Sequence, residues 1–347
     1  MSLRDRLIRD IREDGPLTVG DYMMRCLHDP LDGYYATHPM LGSAGDFITA
    51  PGVSQMFGEI VGAWAYEVWR RLGSPVRLRL VELGPGNGTL MSDVLRVART
   101  DPRFAAACEI WLVERSLPLR ATQEPALPGA HWIEALADVP VGGPTIIIAN
   151  EYLDCLPIRQ AIARDGAWRE RRVGVADDDT LVFVEGPLWG EFPVPERYRS
   201  GEVWEWSPAL VKLGEEIGSR LAQEPGAALI IDYGRDQSGP GDTLQALRGH
   251  GREHPLENPG LADLTAHVDF PAFAAAAERA GAVAGPVESQ GGFLRRLGIE
   301  SRAAVLARAS PAKADVITRQ LARLTSPEGM GELFKAITLT TPGIEAP

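Results

Sequence analysis

Val81-Glu82-Leu83-Gly84-Pro85-Gly86-Asn87-Gly88 is the stretch on which the fold of this chain turns. The apolar residues from Leu78 to Leu83 read as a strand, and Thr89 to Ala98 read as a helix. Three glycines at alternate positions let the backbone turn tightly and let a ligand approach without Cβ clashes. The helix N-terminus that follows offers free N–H groups to an anion. In an open parallel sheet such a loop sits at the carboxyl edge of the strands, where ligands bind.

The spacing is GxGxG, not the GxGxxG of dinucleotide sites. Glu82 directly precedes it. A carboxylate there repels a pyrophosphate and suits an amino group, such as the α-amino group of a methionine moiety. Glu114 ends the second predicted strand, 28 residues beyond Gly86. A carboxylate at that edge can accept both ribose hydroxyls. Glu82, Gly84, Gly86, Gly88 and Glu114, with Asn150 at the end of the fourth strand, are the candidate cofactor-binding residues. The expected cofactor is S-adenosyl-L-methionine. A plain tight turn is the blander alternative, and an NAD-dependent oxidoreductase is the competing enzyme class.

Outward from the loop, strand and helix alternate. Ile110 to Val113, Trp132-Ile133 and Thr145 to Ala149 are further strands, with a helix after Ser116. The last of these strands is apolar throughout, as strands covered on both faces are. The alternation predicts an α/β, Rossmann-like parallel sheet. N-terminal to it, Leu3, Leu7, Ile8 and Ile11 recur at helical spacing, and Thr18 to Asp21 resembles a capping box. Residues 31 to 52 read as a long loop. A strong amphipathic helix follows, with Trp64 and Trp69 on its core face. Residues 157 to 206 carry strand-like segments between turn residues and read as a β-rich insertion. Ser207-Pro208 starts a helix running to about Gln223, Ala227 to Ile231 is a fifth buried strand, and the last strand lies near Phe334 to Thr340. The expected division is a helical cap over 1–73, a core over 74–156 and 207–347 with helical additions, and the insertion over 157–206.

Bulk properties exclude several classes. The chain has 347 residues, a net charge of -12 and 45% hydrophobic residues. It repels polyphosphate surfaces and shows no basic patch, so nucleic acid is not an expected partner. No apolar run reaches bilayer length, so no membrane insertion is expected. Three separated cysteines give neither a disulfide framework nor a metal-ligand spacing. The N-terminus resembles neither a signal nor a transit peptide, which points to the cytoplasm.

Asn150-Glu151-Tyr152-Leu153-Asp154 follows the fourth strand, beside the expected cofactor edge. Glu151 and Asp154 are the candidate catalytic residues. Methyl transfer from a sulfonium is an in-line displacement, so positioning dominates. Two carboxylates can hold a guanidinium by paired hydrogen bonds and draw charge away from the attacking nitrogen. The plainer alternative for each is a helix-capping role. His267 and Asp269 form a second polar cluster, suited to lining a pocket or to acid–base work. Asp269 also fits an N-cap for the alanine-rich helix after Phe270.

These motifs resemble the MidA family of methyltransferases. The resemblance rests on Gly45 to Glu59, Val81 to Leu90, Asn150 to Asp154 and Thr265 to Phe270, and Gly329 to Thr340 fits its C-terminal end. It implies a class I methyltransferase fold, seven strands with the last antiparallel. It further implies symmetric dimethylation of an arginine on the 49-kDa-type subunit of NADH:quinone oxidoreductase, aiding complex I assembly, by a bacterial member. Gly52 departs from the family's usual Glu after Ala50-Pro51. A small-molecule methyltransferase and a SAM-binding assembly chaperone without catalysis are the alternatives. The oligomeric state is left open, a homodimer among the choices.

Overall fold

The computed structural model describes residues 1–37, 49–190, 194–249 and 251–347. Residues 45–48 of the first family motif lie outside them.

The chain opens with helices α1 (Leu3–Asp14) and α2 (Val19–His28), and α3 (Gln55–Arg71) leads into strand β1 (Leu78–Leu83). Then come α4 (Thr89–Ala98), β2 (Cys108–Val113), α5 (Leu117–Gln123), β3 (His131–Ile133) and β4 (Thr145–Asn150). Four strands follow without a helix: β5 (Arg159–Arg164), β6 (Ala167–Val175), β7 (Leu181–Leu188) and β8 (Val203–Trp206). The remainder holds α6 (Pro208–Gln223), β9 (Gly226–Arg235), β10 (Gln245–Arg248), β11 (Asp263–Thr265), α7 (Phe270–Arg279), α8 (Gln290–Arg296), α9 (Ile299–Ala309), α10 (Ala314–Thr325) and β12 (Phe334–Thr340).

The core sheet runs in the order Val283–Ala284, β12, β9, β4, β1, β2, β3. From β9 to β3 neighbours are parallel, and β12 is antiparallel to β9. This seven-strand path is the expected Rossmann-like sheet with its last strand reversed, and two short strands, Val268–Asp269 on β9 and Glu288–Ser289 on β12, bring the sheet to nine. Chain order runs outward from β1 to β3 and then jumps back to β4 on the other side of β1. The carboxyl ends of β1 and β4 therefore flank the crevice where such sheets bind ligands.

All six residues of β4 are buried, because helices cover both faces. Ile146 and Ile148 join the cluster under α3 and α4, while Ile147 and Ala149 join the one under α6 and α7. Phe57, Trp64 and Trp69 of α3 are at most 1% exposed. Each such burial contributes roughly 1.5–3 kcal/mol. The tryptophans are core.

A second lobe forms from distant segments. β5 to β8 make an antiparallel sheet, extended by Leu17–Thr18 against β6. One apolar cluster joins Leu7 and Ile11 of α1, Met23 of α2, Val173 of β6, and Leu244, Ala246 and Leu264. α1 and α2 pack on the insertion and on residues 244–266, whereas α3 packs on the core sheet. An amphipathic stripe says that a helix has a partner, not which one.

The corrections are local. The reciprocal capping box is at Ser2 and Asp5. At Thr18 the side chain caps the Asp21 N–H, and its hydroxyl also donates to the Asp21 carboxylate. The long-loop segment contains helical turns at Tyr34–Thr37 and Ala50–Val53. The fifth strand continues past Ile231 to Arg235, carrying Asp232 and Tyr233 inside the sheet. No helix among the described residues is long and apolar enough to cross a membrane.

Candidate active site

A cavity of about 470 Å³ opens at the carboxyl ends of β1, β2 and β4. That lies within the range of about 300–1,000 Å³ typical of small-molecule sites. The second lobe supplies its roof through Met24, His28, Tyr35 and Asp263. Glu82, Gly84, Gly86, Glu114, Asn150, Glu151 and Asp154 all line it.

After Leu83 the chain turns through left-handed φ values of 62, 54 and 78° at Gly84, Gly86 and Gly88. Gly84 is also constrained by packing: a Cβ there would lie 2.6 Å from Cδ2 of Tyr152. Gly88 does not line the cavity. It is the N-cap of α4, its N–H donating to the Pro85 carbonyl at 2.8 Å, while the Asn87 side chain accepts from the Thr89 N–H at 3.1 Å.

Glu82 and Asn150 project from the same sheet face, because Leu83 pairs with Ala149 in register. Both are buried, at 2% and 9% exposure. Glu82 Oε2 and Asn150 Oδ1 are buried without a hydrogen-bond partner. Burial pushes the Glu82 carboxyl up to about 8, opposed by the Met91 N–H. Two orphaned acceptors beside a cavity fit a ligand that brings N–H donors, and an ammonium meets both.

Glu114, 9% exposed, directly follows β2. Its Oε1 accepts from the Ser116 N–H at 2.8 Å and its Oε2 from Gln123 Nε2 at 3.3 Å. Burial raises its pKa, against those donors. Beyond β3, Glu134, Ala135 and Leu136 line the cavity, with Val113 and Leu119 alongside. Apolar walls with an acid at the rim fit a flat heterocycle bearing an amino group. Glu134 was missed in sequence; its signal was its place after the third strand, at the edge that Glu82 and Glu114 share.

The turn after β4 is held from below. Asp232, fully buried on β9, accepts through Oδ2 from the backbone N–H of Tyr152, Leu153 and Asp154 at 3.1, 2.8 and 3.1 Å. Its Oδ1 accepts from the Tyr233 N–H at 2.8 Å. Burial, then the nearby Asp154 and Glu151 carboxylates, push Asp232 upward, and the N–H donors oppose them. On this base Glu151 takes a left-handed φ of 51°. Non-glycine residues held there cost on the order of 1–3 kcal/mol and cluster at functional sites. Sequence alone gives Asp232 no role, since only the fold brings it under the turn.

Glu151 Oε1 accepts from the Ala50 N–H and from Asn150 Nδ2, both at 2.9 Å. Burial pushes its carboxyl up to about 7, with those donors opposing and Asp154 reinforcing. Asp154, 6% exposed, is pushed up to about 6 by burial, against a hydrogen bond from the Tyr233 hydroxyl. From the second lobe the Tyr35 hydroxyl donates to Asp263 Oδ1 at 3.2 Å. The cavity thus presents a wall of buried carboxylates, two of them titrating near neutrality, suited to a cationic or proton-releasing group.

His267 and Asp269 are elsewhere. The His267 ring stands edge-on to Tyr233, 5.6 Å between centroids. Asp269 caps α7, accepting from the Ala272 N–H at 3.0 Å and the Ser238 hydroxyl at 2.7 Å. Neither lines the cavity, so their polarity serves local structure.

Comparison with known proteins agrees with this geometry. A family model for S-adenosyl-L-methionine-dependent methyltransferases matches residues 60–287. Protein arginine methyltransferase NDUFAF7, mitochondrial, of Danio rerio is 34% identical over 364 residues, covering 96% of this chain and 86% of that protein. The NDUFAF7 homolog of Drosophila melanogaster is 36% identical over 379 residues, covering 99% and 86%. A crystal structure from Burkholderia thailandensis bound to S-adenosyl-homocysteine superposes with a TM-score of 0.82 at 27% identity, covering 99% of this chain and 92% of that one.

Proposed function

The chain belongs to the family of S-adenosyl-L-methionine-dependent methyltransferases, and from that premise we propose that its methyl acceptor is an arginine side chain of a protein. The observation that carries the acceptor is the pair Glu151 and Asp154, set side by side in the cavity on the Asp232 support. The relatives named protein arginine methyltransferases support it.

The cavity residues fit the cofactor part by part. Glu82 and Asn150 would take its amino group, Glu114 its ribose hydroxyls, and Glu134 with Leu136 its adenine. When bound, the cofactor supplies an electrophilic methyl group on a sulfonium. Glu151 and Asp154 would hold the acceptor guanidinium by paired hydrogen bonds and localise its charge away from the reacting nitrogen. Methylation of that nitrogen releases one proton. Glu151, raised to about 7, is matched to accept it and pass it to solvent.

The target proposed is an arginine of the 49-kDa-type subunit of NADH:quinone oxidoreductase, dimethylated symmetrically in the cytoplasm of a bacterium as that complex assembles. Mass spectrometry of the subunit, made with and without this protein, tests it. The expected result is a gain of two methyl groups on one arginine, with fragments of the symmetric isomer. An unmodified subunit, with label from the cofactor passing instead to a small molecule, overturns it.

Glu82 carries a pH prediction. An ammonium beside it favours its anion, so binding must displace the proton that burial retains up to about pH 8. The affinity for S-adenosylhomocysteine should therefore tighten roughly tenfold or more from pH 6 to pH 8. Glu82→Gln should bind weakly and without that slope. The folded pKa lies above the unfolded value of 4.5, so this group's contribution to stability falls as pH rises from there through about 8. Thermal stabilisation by ligand should accordingly be larger at pH 8 than at pH 6. A flat pH dependence of the wild-type Kd, by calorimetry, would remove the ammonium from Glu82.

A further inference from the structure

Gln123 is fully buried at the end of α5, yet it is an amide. Burying an amide is unfavourable unless hydrogen bonds replace its water. Its Nε2 donates to the Gly86 carbonyl at 2.7 Å and to Glu114 Oε2 at 3.3 Å. Its Oε1 accepts from Trp132 Nε1 at 2.8 Å. An indole N–H can only donate, so Trp132 fixes which end of the amide faces it. The NH2 group must then face the glycine loop and the acid of β2.

Those two contacts join two parts of the cofactor site, the glycine loop and the acid that follows β2. Gly86 is the middle glycine of the loop, and fixing its carbonyl fixes the peptide plane into Asn87. Glu114 has one oxygen held by the Ser116 N–H and the other by Gln123. Its carboxylate is thereby locked in one rotation. An apolar side chain of the same size would fill the space and orient neither group.

We propose that Gln123 is a positioning residue for the cofactor, oriented by Trp132, which sets the glycine loop and the ribose-facing carboxylate together. The proposal rests on the assignment of Glu114 to the ribose. Calorimetry with S-adenosylhomocysteine and its 2′-deoxyribose analogue, on the full chain, tests it. Q123M should weaken binding of the parent ligand about tenfold, the scale of a lost buried hydrogen bond to a charged group. Q123E keeps the acceptor for Trp132 but turns a carboxylate onto Gly86 O and Glu114, and should weaken it further. The wild type should discriminate between the two ligands, and Q123M should lose most of that discrimination.

A purely structural role would weaken both ligands in parallel, and that result overturns the proposal. So does Q123M binding within twofold of wild type. Should Q123M fail to fold, W132F decides, since it removes the donor that orients the amide and keeps an aromatic ring. Reduced discrimination supports the relay, and unchanged discrimination overturns it. A wild-type protein that binds the parent ligand without discriminating between the two sinks the ribose assignment of Glu114 and the relay with it. One that binds neither ligand sinks the cofactor reading of the whole site.

Discussion

Glu151→Gln is expected to lower kcat for methyl transfer by about 100-fold or more, the low end of what a positioned acid or base contributes. The substitution keeps the oxygen that accepts from the Ala50 N–H and Asn150 Nδ2, so the turn should hold. It removes the charge that would grip the guanidinium and the site that would accept its proton. Affinity for S-adenosylhomocysteine should stay within about twofold, since the loss concerns the acceptor side. The wild-type kcat/KM for the acceptor should rise with pH through about 7, where Glu151 ionises in the free enzyme, and the variant should lack that limb. A variant with kcat within threefold of wild type would take Glu151 out of the chemistry. A parallel loss of cofactor affinity would move it to the cofactor side.

Asp232→Asn is expected to destabilise the fold by about 3 kcal/mol, as a buried network does when a donor is left facing a donor. Both carboxylate oxygens accept backbone N–H groups. An amide puts its own N–H against one of them in either orientation. The turn carrying Glu151 and Asp154 loses its support, and the left-handed Glu151 is then free to relax. The measured consequence is a Tm lower by several degrees together with loss of activity, even at temperatures where the variant is folded. Full activity in a folded variant would show that the turn keeps its shape without Asp232.

These variants separate what pattern reveals from what it hides. The glycine loop was legible because its chemistry is local. Tight left-handed turns need glycine, a strand before it shows as an apolar run, and a helix after it shows as period 3.6. Glu82, Glu114, Asn150, Glu151 and Asp154 were legible for a related reason, since each lies at or just beyond the carboxyl end of a strand, and strand ends in this architecture converge. Gly88 caps α4, and alternation along the loop cannot say which glycine caps the helix. His267 and Asp269 drew attention by composition, and their partners, Tyr233 and the α7 N-terminus, explain them without ligand.

The sequence by itself determined the architecture of the core, the position of the cofactor loop and the carboxylates at the strand ends. Periodicity and turn chemistry act over a few residues and survive as pattern. Only the tertiary structure decided what stands behind those residues. Asp232 lies 78 residues from the Asp154 N–H that it accepts. Gln123 lies 37 residues from the Gly86 carbonyl that it fixes. Tyr35 meets Asp263 across 228 residues, over a roof assembled from the first helices, the insertion and residues 244–266. Hydrogen bonds between distant segments leave no period in the chain, because their geometry exists only after the sheet has brought the strand ends together.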